Sequence, residues 1–168
     1  DLANIWGINV VSLRYFNPAG AHSSGKMGEA PSVVALNLVP VITETAAGKR
    51  DKCLVFGDDY DTRDGSCVRD YIHIEDLAAA HTKAVDYLIN GKNDDNYEVY
   101  NLGIGQGITV IEAIKAFEKI SGLKLNYEVG PRRPGDVIAI YSNYEKAKKR
   151  LGWEPQFGID DIMRTSWE

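Results

Sequence analysis

Apolar residues along the chain follow two different periods in alternation. Over residues 8–16 they are almost continuous, which is typical of a strand buried on both faces of a parallel sheet. Over residues 76–89 they recur every three or four positions, which predicts an amphipathic helix that ends at Gly91. Further strands are predicted over residues 53–56, 98–102, 125–129 and 137–141, further helices over residues 1–6, 32–47, 109–122 and 143–151, and loops over residues 17–31 and 57–65.

This alternation of strands and helices predicts an α/β fold. The 168 residues suit one domain or a large part of two, and 44% apolar with 26% charged residues is typical of a soluble globular protein. A net charge of −5 argues against nucleic acid as a partner. No apolar run is long enough to cross a membrane and nothing resembles a signal peptide, so we expect the chain to start within a longer protein. Cys53 and Cys67 lack metal-ligand spacing, which predicts reduced thiols and no metal site.

Three short motifs carry the candidate chemistry: Leu-Arg-Tyr-Phe-Asn-Pro at 13–18, Val-Arg-Asp-Tyr-Ile-His at 68–73 and Arg-Arg-Pro-Gly-Asp at 132–136. The planar guanidinium groups of Arg69 and Arg133 suit a diphosphate, because they offer it paired hydrogen bonds. The alternative is two internal ion pairs, Arg69 with Asp70 and Arg133 with Asp136. Asp136 follows a Pro-Gly turn, which aims its carboxylate either at a ligand or at its own backbone.

In this order the motifs resemble the C-terminal half of the NAD-dependent UDP-galactose (UDP-glucose) 4-epimerases, which are extended short-chain dehydrogenase/reductases. The resemblance runs over about residues 10–167. It implies the C-terminal part of a Rossmann-type parallel sheet plus a small mixed α/β substrate-binding domain. Residues 1–17 and 72–107 would belong to the NAD-binding domain, and residues 18–71 and 108–168 to the substrate-binding domain. The family's glycine-rich loop and catalytic Tyr-x-x-x-Lys would lie upstream of residue 1, so we expect no catalytic residue in this chain and no activity from it alone.

The resemblance also implies a role for individual side chains. Arg69 and Arg133 would hold the diphosphate, Asp136 would accept from a ribose hydroxyl, and Tyr71 would line the nucleotide site. Phe16 would lie against the NAD nicotinamide. The remaining substrate-binding residues that the resemblance implies are Asn17, Asn37, Leu38, Leu54, Val55, Phe56 and Ile140.

The strand from Leu54 to Phe56 would flank the uracil. Ile140 would border the hexose, where in the family a bulky Tyr goes with rejection of 2-acetamido sugars; the alternative is a strand residue that faces the core. Residues 33–36 depart from the Gly-Ile-Pro-Asn that commonly precedes the Asn-Leu pair in the family.

The glycine-rich turn at 103–107 is not a dinucleotide fingerprint, and Tyr144 with Lys148 fits a solvated helix face better than a catalytic pair.

The function that the resemblance implies is the interconversion of UDP-galactose and UDP-glucose at C4, with NAD as cofactor and a 4-keto intermediate. The parent protein would be a cytoplasmic homodimer with no membrane and no nucleic-acid partner. Two alternatives stay open: another enzyme of the superfamily that modifies UDP-sugars, a decarboxylase or dehydratase, and a sugar-nucleotide binding module without catalysis.

Overall fold

Helices and strands alternate along residues 2–168, which are the residues that the computed structural model describes; residue 1 of the predicted N-terminal helix lies outside them. In chain order the elements are α1 (Leu2–Trp6), β1 (Val10–Tyr15), β2 (Asn17–Ala19), α2 (Leu38–Ala46), β3 (Cys53–Phe56), β4 (Val68–Arg69), β5 (Tyr71–His73), α3 (Ile74–Ile89), β6 (Tyr97–Leu102), β7 (Ile108–Thr109), α4 (Val110–Ser121), β8 (Tyr127–Gly130), α5 (Glu145–Leu151) and α6 (Ile159–Trp167). Parallel pairs join β1 to β6, β2 to β5 and β3 to β8, whereas β4 and β7 are antiparallel. The α/β prediction is confirmed.

One hydrophobic core lies between α3, β5, β6 and α5. Tyr100 and Leu102 of β6 and Ala80 of α3 are fully buried in it. Trp153, directly after α5, completes this core: its side chain is buried, and its indole N–H donates to the carbonyl oxygen of Asp76 at 2.9 Å. A large aromatic residue thus anchors the connection after α5 to the start of α3.

A second hydrophobic core lies between α2, α4, α6 and β3. It is formed by Ile42, Val55, Phe117 and Ile162, which are all buried. The ring of Trp167 packs edge-on against Phe117, with 5.3 Å between the ring centroids. These contacts hold α6 against α4 and fix the helices behind β3.

The division of the chain into two domains stays a prediction. The first core draws on residues 72–102, which fall largely in the predicted NAD-binding ranges, but also on Ala147, Leu151 and Trp153 from the predicted substrate-binding range. The helix α5 and the segment that follows it therefore pack against the first core and not the second.

The predicted strand over residues 137–141 is wrong. Within it Ala139 alone forms an isolated bridge, parallel to Val68. The apolar residues that suggested a half-buried strand are all partly exposed: Val137, Ile138, Ile140 and Tyr141. The segment has no buried face on a core, and it is held to β4 by backbone hydrogen bonds around Val68 and by the side chain of Arg69, which donates to the carbonyl oxygen of Val137.

Two other segments differ from the prediction. The helix predicted over 32–47 begins only at Leu38, because Asn37 is extended and the side chains of Val33, Val34 and Leu36 are more than two-thirds exposed. An apolar run with no surface to pack against gains little from helix formation. The loop predicted over 17–31 contains β2, whose hydrogen bonds depend on the distant strand β5.

Within residues 2–168 no helix combines the length and the apolar character needed to cross a membrane. The same residues contain no group of three or more His, Cys, Asp or Glu side chains that could hold a metal ion. Cys53 and Cys67 are both free thiols and both buried, and burial raises the pKa of the Cys53 thiol to about 11. Cys53 is therefore a packing residue of the second core.

Candidate functional site

A cleft of about 640 Å³ opens in front of β3, between β2, the start of α2 and the segment after β8. It brings together all but two of the predicted site residues. Those in its walls are Phe16, Asn17, Asn37, Leu38, Leu54, Phe56, Arg69, Tyr71, Arg133 and Asp136. Three motifs that are far apart in sequence therefore meet at one surface.

The positive end of the cleft consists of two arginines that share one carboxylate. Arg133 donates to Oδ1 of Asp136 at 2.8 Å, and Arg69 donates to the same oxygen at 3.4 Å. The hydrogen bond and charge of Asp136 raise the pKa of Arg133 above its ordinary value. Two guanidinium groups with one carboxylate leave a net positive charge, which suits an anionic ligand.

The two arginines are held differently. Arg69 also donates to the carbonyl oxygens of Val68 at 2.8 Å and Val137 at 2.9 Å, and only 17% of its side chain is exposed. Arg133 is 56% exposed, with its guanidinium 5.3 Å from the ring centroid of Phe56. Arg69 is therefore fixed in advance, whereas Arg133 is free to turn toward a ligand.

The strand β3 forms an apolar wall with one open backbone edge. Leu54 and Phe56 face the cleft, while Cys53 and Val55 point into the second core. The amide N–H of Cys53 donates to the carbonyl oxygen of Asn126, just before β8, and that of Gly57 donates to the carbonyl oxygen of Gly130 in β8, each at 2.9 Å. Because backbone groups alternate along a strand, those of Leu54 and Phe56 point to the opposite edge, which no strand of the described residues covers.

Asn37 precedes α2 at the cap position, where an asparagine usually binds the first turn of the helix. Its side chain makes no capping hydrogen bond and instead lines the cleft. Asn17 lies across from it at the start of β2, where its amide N–H donates to the carbonyl oxygen of Asp70 at 3.0 Å. Both side-chain amides thus border the same space.

Tyr71 lies at the back of the cleft and is almost fully buried, and this burial raises the pKa of its phenol well above the ordinary value. Val55 and Ile140 are the two predicted residues outside the walls. The side chain of Val55 is buried in the second core, so it could contribute only its backbone. Ile140 is 47% exposed, so its side chain is not the core residue of the alternative interpretation.

Asp70 was missed as a structural centre. Its carboxylate accepts hydrogen bonds from the amides of Ile104 at 2.8 Å, Gly105 at 3.1 Å and Ser142 at 2.9 Å. A Cβ atom on Gly103 would lie 2.4 Å from the Asp70 carboxylate, so only glycine fits there. The glycine-rich turn therefore holds an internal carboxylate, and Asp70 is not the partner of Arg69. The sequence alone does not indicate this contact, because only the fold brings Asp70 and the glycine-rich turn together.

Arg50 and Lys52 also line the cleft and were not singled out from the sequence. Arg50 is held by Glu44 and by the carbonyl oxygen of Ala35, both at 2.5 Å. Arg132, by contrast, turns away from the cleft. It pairs with Asp59 at 2.7 Å and lies 4.1 Å above the ring centroid of Tyr60.

Comparison with known proteins gives a consistent picture. The family model described as GDP-mannose 4,6 dehydratase matches residues 2–166. UDP-glucose 4-epimerases from Erwinia amylovora and Bacillus subtilis are 49% and 46% identical over 94% and 98% of this chain. The chain covers 46% and 47% of those two proteins, so it spans about half the length of the curated relatives that it matches.

Solved structures agree in fold. UDP-glucose 4-epimerase from Stenotrophomonas maltophila, with bound NAD and formylated UDP-arabinopyranose, matches with a TM-score of 0.90 and 42% identity, over 95% of this chain and 46% of that one. The Bifidobacterium longum enzyme in complex with NAD+ and UDP matches with a TM-score of 0.88 and 46% identity, over the same shares. Because the family model covers nearly all of the described residues, the chain belongs to the GDP-mannose 4,6-dehydratase family, and within it resembles the UDP-glucose 4-epimerases.

Proposed function

We propose that this chain is the substrate-binding part of an NAD-dependent epimerase that interconverts UDP-galactose and UDP-glucose at C4 through a 4-keto intermediate. The observation that carries the proposal is the cleft, in which Arg69 and Arg133 face the apolar, open-edged strand β3. A charged end beside an apolar wall suits a nucleoside diphosphate, since the phosphates need cations and the base needs a flat apolar surface. The names of the relatives favour the epimerase.

In this proposal the chain grips the part of the substrate that does not react. Arg69 and Arg133 hold the diphosphate, Asp136 turns an oxygen toward a ribose hydroxyl, and the side-chain amides of Asn17 and Asn37 orient the ligand. Binding energy from the nucleotide then keeps the reacting sugar in place while the 4-keto sugar turns over. We place the catalytic base outside this chain.

Phe16 is the residue that we expect to contact the cofactor. It follows β1, at the carboxyl end of the strand, where open α/β sheets place their ligands, and it lines the cleft beside Asn17. When bound, NAD supplies the hydride acceptor and donor of the reaction. We also propose that the parent protein is a homodimer of the cytoplasm, on the resemblance alone. Ile140 stays a predicted neighbour of the hexose.

A second candidate is a UDP-sugar dehydratase or decarboxylase of the same family. The description of the matching family model, a dehydratase, is the observation that favours it. Both candidates need the same nucleotide-binding residues, so the two reactions differ in their products and not in the requirements on this cleft. A binding module without catalysis is the third candidate.

The proposal is tested by activity and binding together. The full-length protein with NAD should convert UDP-galactose to UDP-glucose, and the 168-residue chain alone should not. In the full-length protein, Arg133→Ala should weaken UDP binding by about 1.5–3 kcal/mol, the range for hydrogen bonds to charged groups, while uridine binding is unchanged. Isothermal titration calorimetry measures both ligands.

Arg133 is the better probe, because Arg69 also ties Val68 to Val137 and its removal would disturb the fold. Arg132→Ala is the matched control: Arg132 pairs with Asp59 away from the cleft, so UDP binding should not change. An equal loss of uridine and UDP affinity in Arg133→Ala would show that the residue maintains the structure and does not hold phosphates. A dehydrated or decarboxylated product would select the second candidate.

A further inference from the structure

Lys52 lies in the cleft wall, away from the arginine pair. It precedes β3, and the alternation of side chains along a strand places Lys52, Leu54 and Phe56 on the same face. Phe56 lies under the guanidinium of Arg133. At about 3.3 Å per residue, the Cα atom of Lys52 is about 13 Å from that of Phe56 along the strand. A cation therefore stands at the far end of the apolar wall.

The ammonium group of Lys52 is only lightly engaged. It pairs with Glu128 of β8, but the two side chains are 50% and 57% exposed, and such a pair contributes little to stability. An ammonium has three N–H donors, and within the described part of the chain the ammonium of Lys52 donates to Glu128. Arg50, its neighbour in the wall, is instead committed to Glu44 and to the carbonyl oxygen of Ala35.

A ligand that spans the cleft would present an oxygen to Lys52. With its diphosphate between Arg69 and Arg133 and its base against Phe56 and Leu54, a nucleotide directs the outer edge of the base toward the start of β3. An ammonium can only donate hydrogen bonds, so it favours a carbonyl oxygen at that edge and disfavours an amino group.

We propose that Lys52 is a specificity-determining residue that donates a hydrogen bond to the 4-carbonyl oxygen of uracil and thereby selects uracil over cytosine, whose amino group occupies that position. The inference rests on the proposed function, because it takes the cleft to bind a nucleoside diphosphate. It adds a side-chain contact that discriminates between the two bases, whereas the backbone edge of β3 can bind either pyrimidine.

The test uses the full-length protein and Lys52→Met, which keeps an unbranched side chain of nearly the same length and removes its charge. Calorimetric titrations with UDP, uridine and CDP are compared. UDP and uridine should each bind about tenfold more weakly to Lys52→Met, as expected for loss of a hydrogen bond to a charged group, whereas CDP binding should change little. The preference for UDP over CDP should therefore fall by about the same factor.

Two control variants separate a ligand contact from a structural one. Glu128→Gln breaks the ion pair but leaves the ammonium, so the affinity for UDP should hold or rise. A loss of affinity equal to that of Lys52→Met would overturn the proposal, because the ion pair and not a ligand contact would then account for the effect. Lys49→Met removes an exposed lysine outside the cleft and should change nothing. A loss for UDP without a loss for uridine would also overturn the proposal, since Lys52 would then contact phosphate.

The outcomes also separate this inference from the proposed function. If the wild-type protein fails to bind UDP, or binds it equally well after Arg133→Ala, the proposed function is wrong. If UDP binding depends on Arg133 but the preference for UDP over CDP is unchanged in Lys52→Met, only the role of Lys52 is wrong.

Discussion

Asp70 shows how much of the structure one side chain can organise. Its carboxylate is fully buried and receives three backbone N–H groups from two separate segments. Those amides have no alternative acceptor once the carboxylate is lost, and unsatisfied buried donors are costly. The residue lies next to Arg69 in sequence, yet its carboxylate binds buried backbone amides, whereas the side chain of Arg69 lines the cleft.

We therefore expect Asp70→Asn to lower the free energy of unfolding by about 2–3 kcal/mol, since an amide group would place donors against donors. Urea denaturation followed by circular dichroism measures the change. Asp59→Asn is the matched control, because Asp59 is an exposed carboxylate and its loss should leave the unfolding midpoint in place. Equal midpoints for wild type and Asp70→Asn would contradict the assigned role.

Residues that line the cleft were easier to predict than residues that organise the fold around it. Arg69, Arg133 and Asp136 lie in motifs whose residue types suggest a diphosphate site, and the cleft contains all three. Asp70 and Lys52 depend on partners 34 or more residues away, so no local pattern indicates them.

At the scale of elements, the strongly periodic helices and the strand over residues 53–56 were predictable, and the strands of two or three residues were not. The helix α4 starts as predicted, with Thr109 and Glu112 in a reciprocal capping box at 2.9 and 3.0 Å. By contrast β2, β4 and β5 contain two or three residues each, and their hydrogen bonds come from strands that are distant in the chain. Local sequence carries little information about such pairs.

The start of α3 has an unusual cap. The Nδ1 atom of His73 accepts the amide N–H of Glu75 at 3.1 Å, so Nε2 carries the proton and donates to Thr165 of α6 at 3.0 Å. The ring also packs 4.4 Å from the centroid of Phe157. Both ring nitrogens of the neutral imidazole are thus used, and a second proton would break the cap.

This cap predicts a dependence of stability on pH. Burial lowers the pKa of His73 in the folded state, so below the ordinary histidine pKa of about 6.5 the unfolded chain binds more protons. The free energy of unfolding should therefore fall as the pH drops from about 7.5 to 5. His73→Gln keeps an acceptor and a donor but does not titrate, so its profile should be flatter in this window.

Urea unfolding at several pH values provides the measurement. Asp76 is the main group nearby with an opposite effect, since burial raises its pKa above the ordinary 3.8 and the folded state then binds more protons as the pH falls. Asp76 is present in both proteins, so the difference between the two profiles reports His73. A slope in His73→Gln as steep as that of the wild type would assign the acid sensitivity to another group.

At the scale of the whole molecule, two hydrophobic cores meet at β5, which contributes Tyr71 to one and Ile72 to the other. One core surrounds α3 and β6, and the other lies behind β3. The cleft is formed largely in front of the second core, with Phe16 following β1 of the first. A ligand in the cleft would thus contact residues that belong to both predicted domains.

The hydrogen bonds of Asp70 have a consequence for the rates of folding. They connect positions 34, 35 and 72 residues apart, so large loops must close before the carboxylate meets its amides. We expect these contacts to form after the folding transition state, and the loss of a late-forming contact accelerates unfolding more than it slows folding. In stopped-flow measurements, Asp70→Asn should therefore unfold faster than the wild type while refolding at nearly the same rate. A refolding rate reduced in proportion to the lost stability would instead place Asp70 in the folding nucleus.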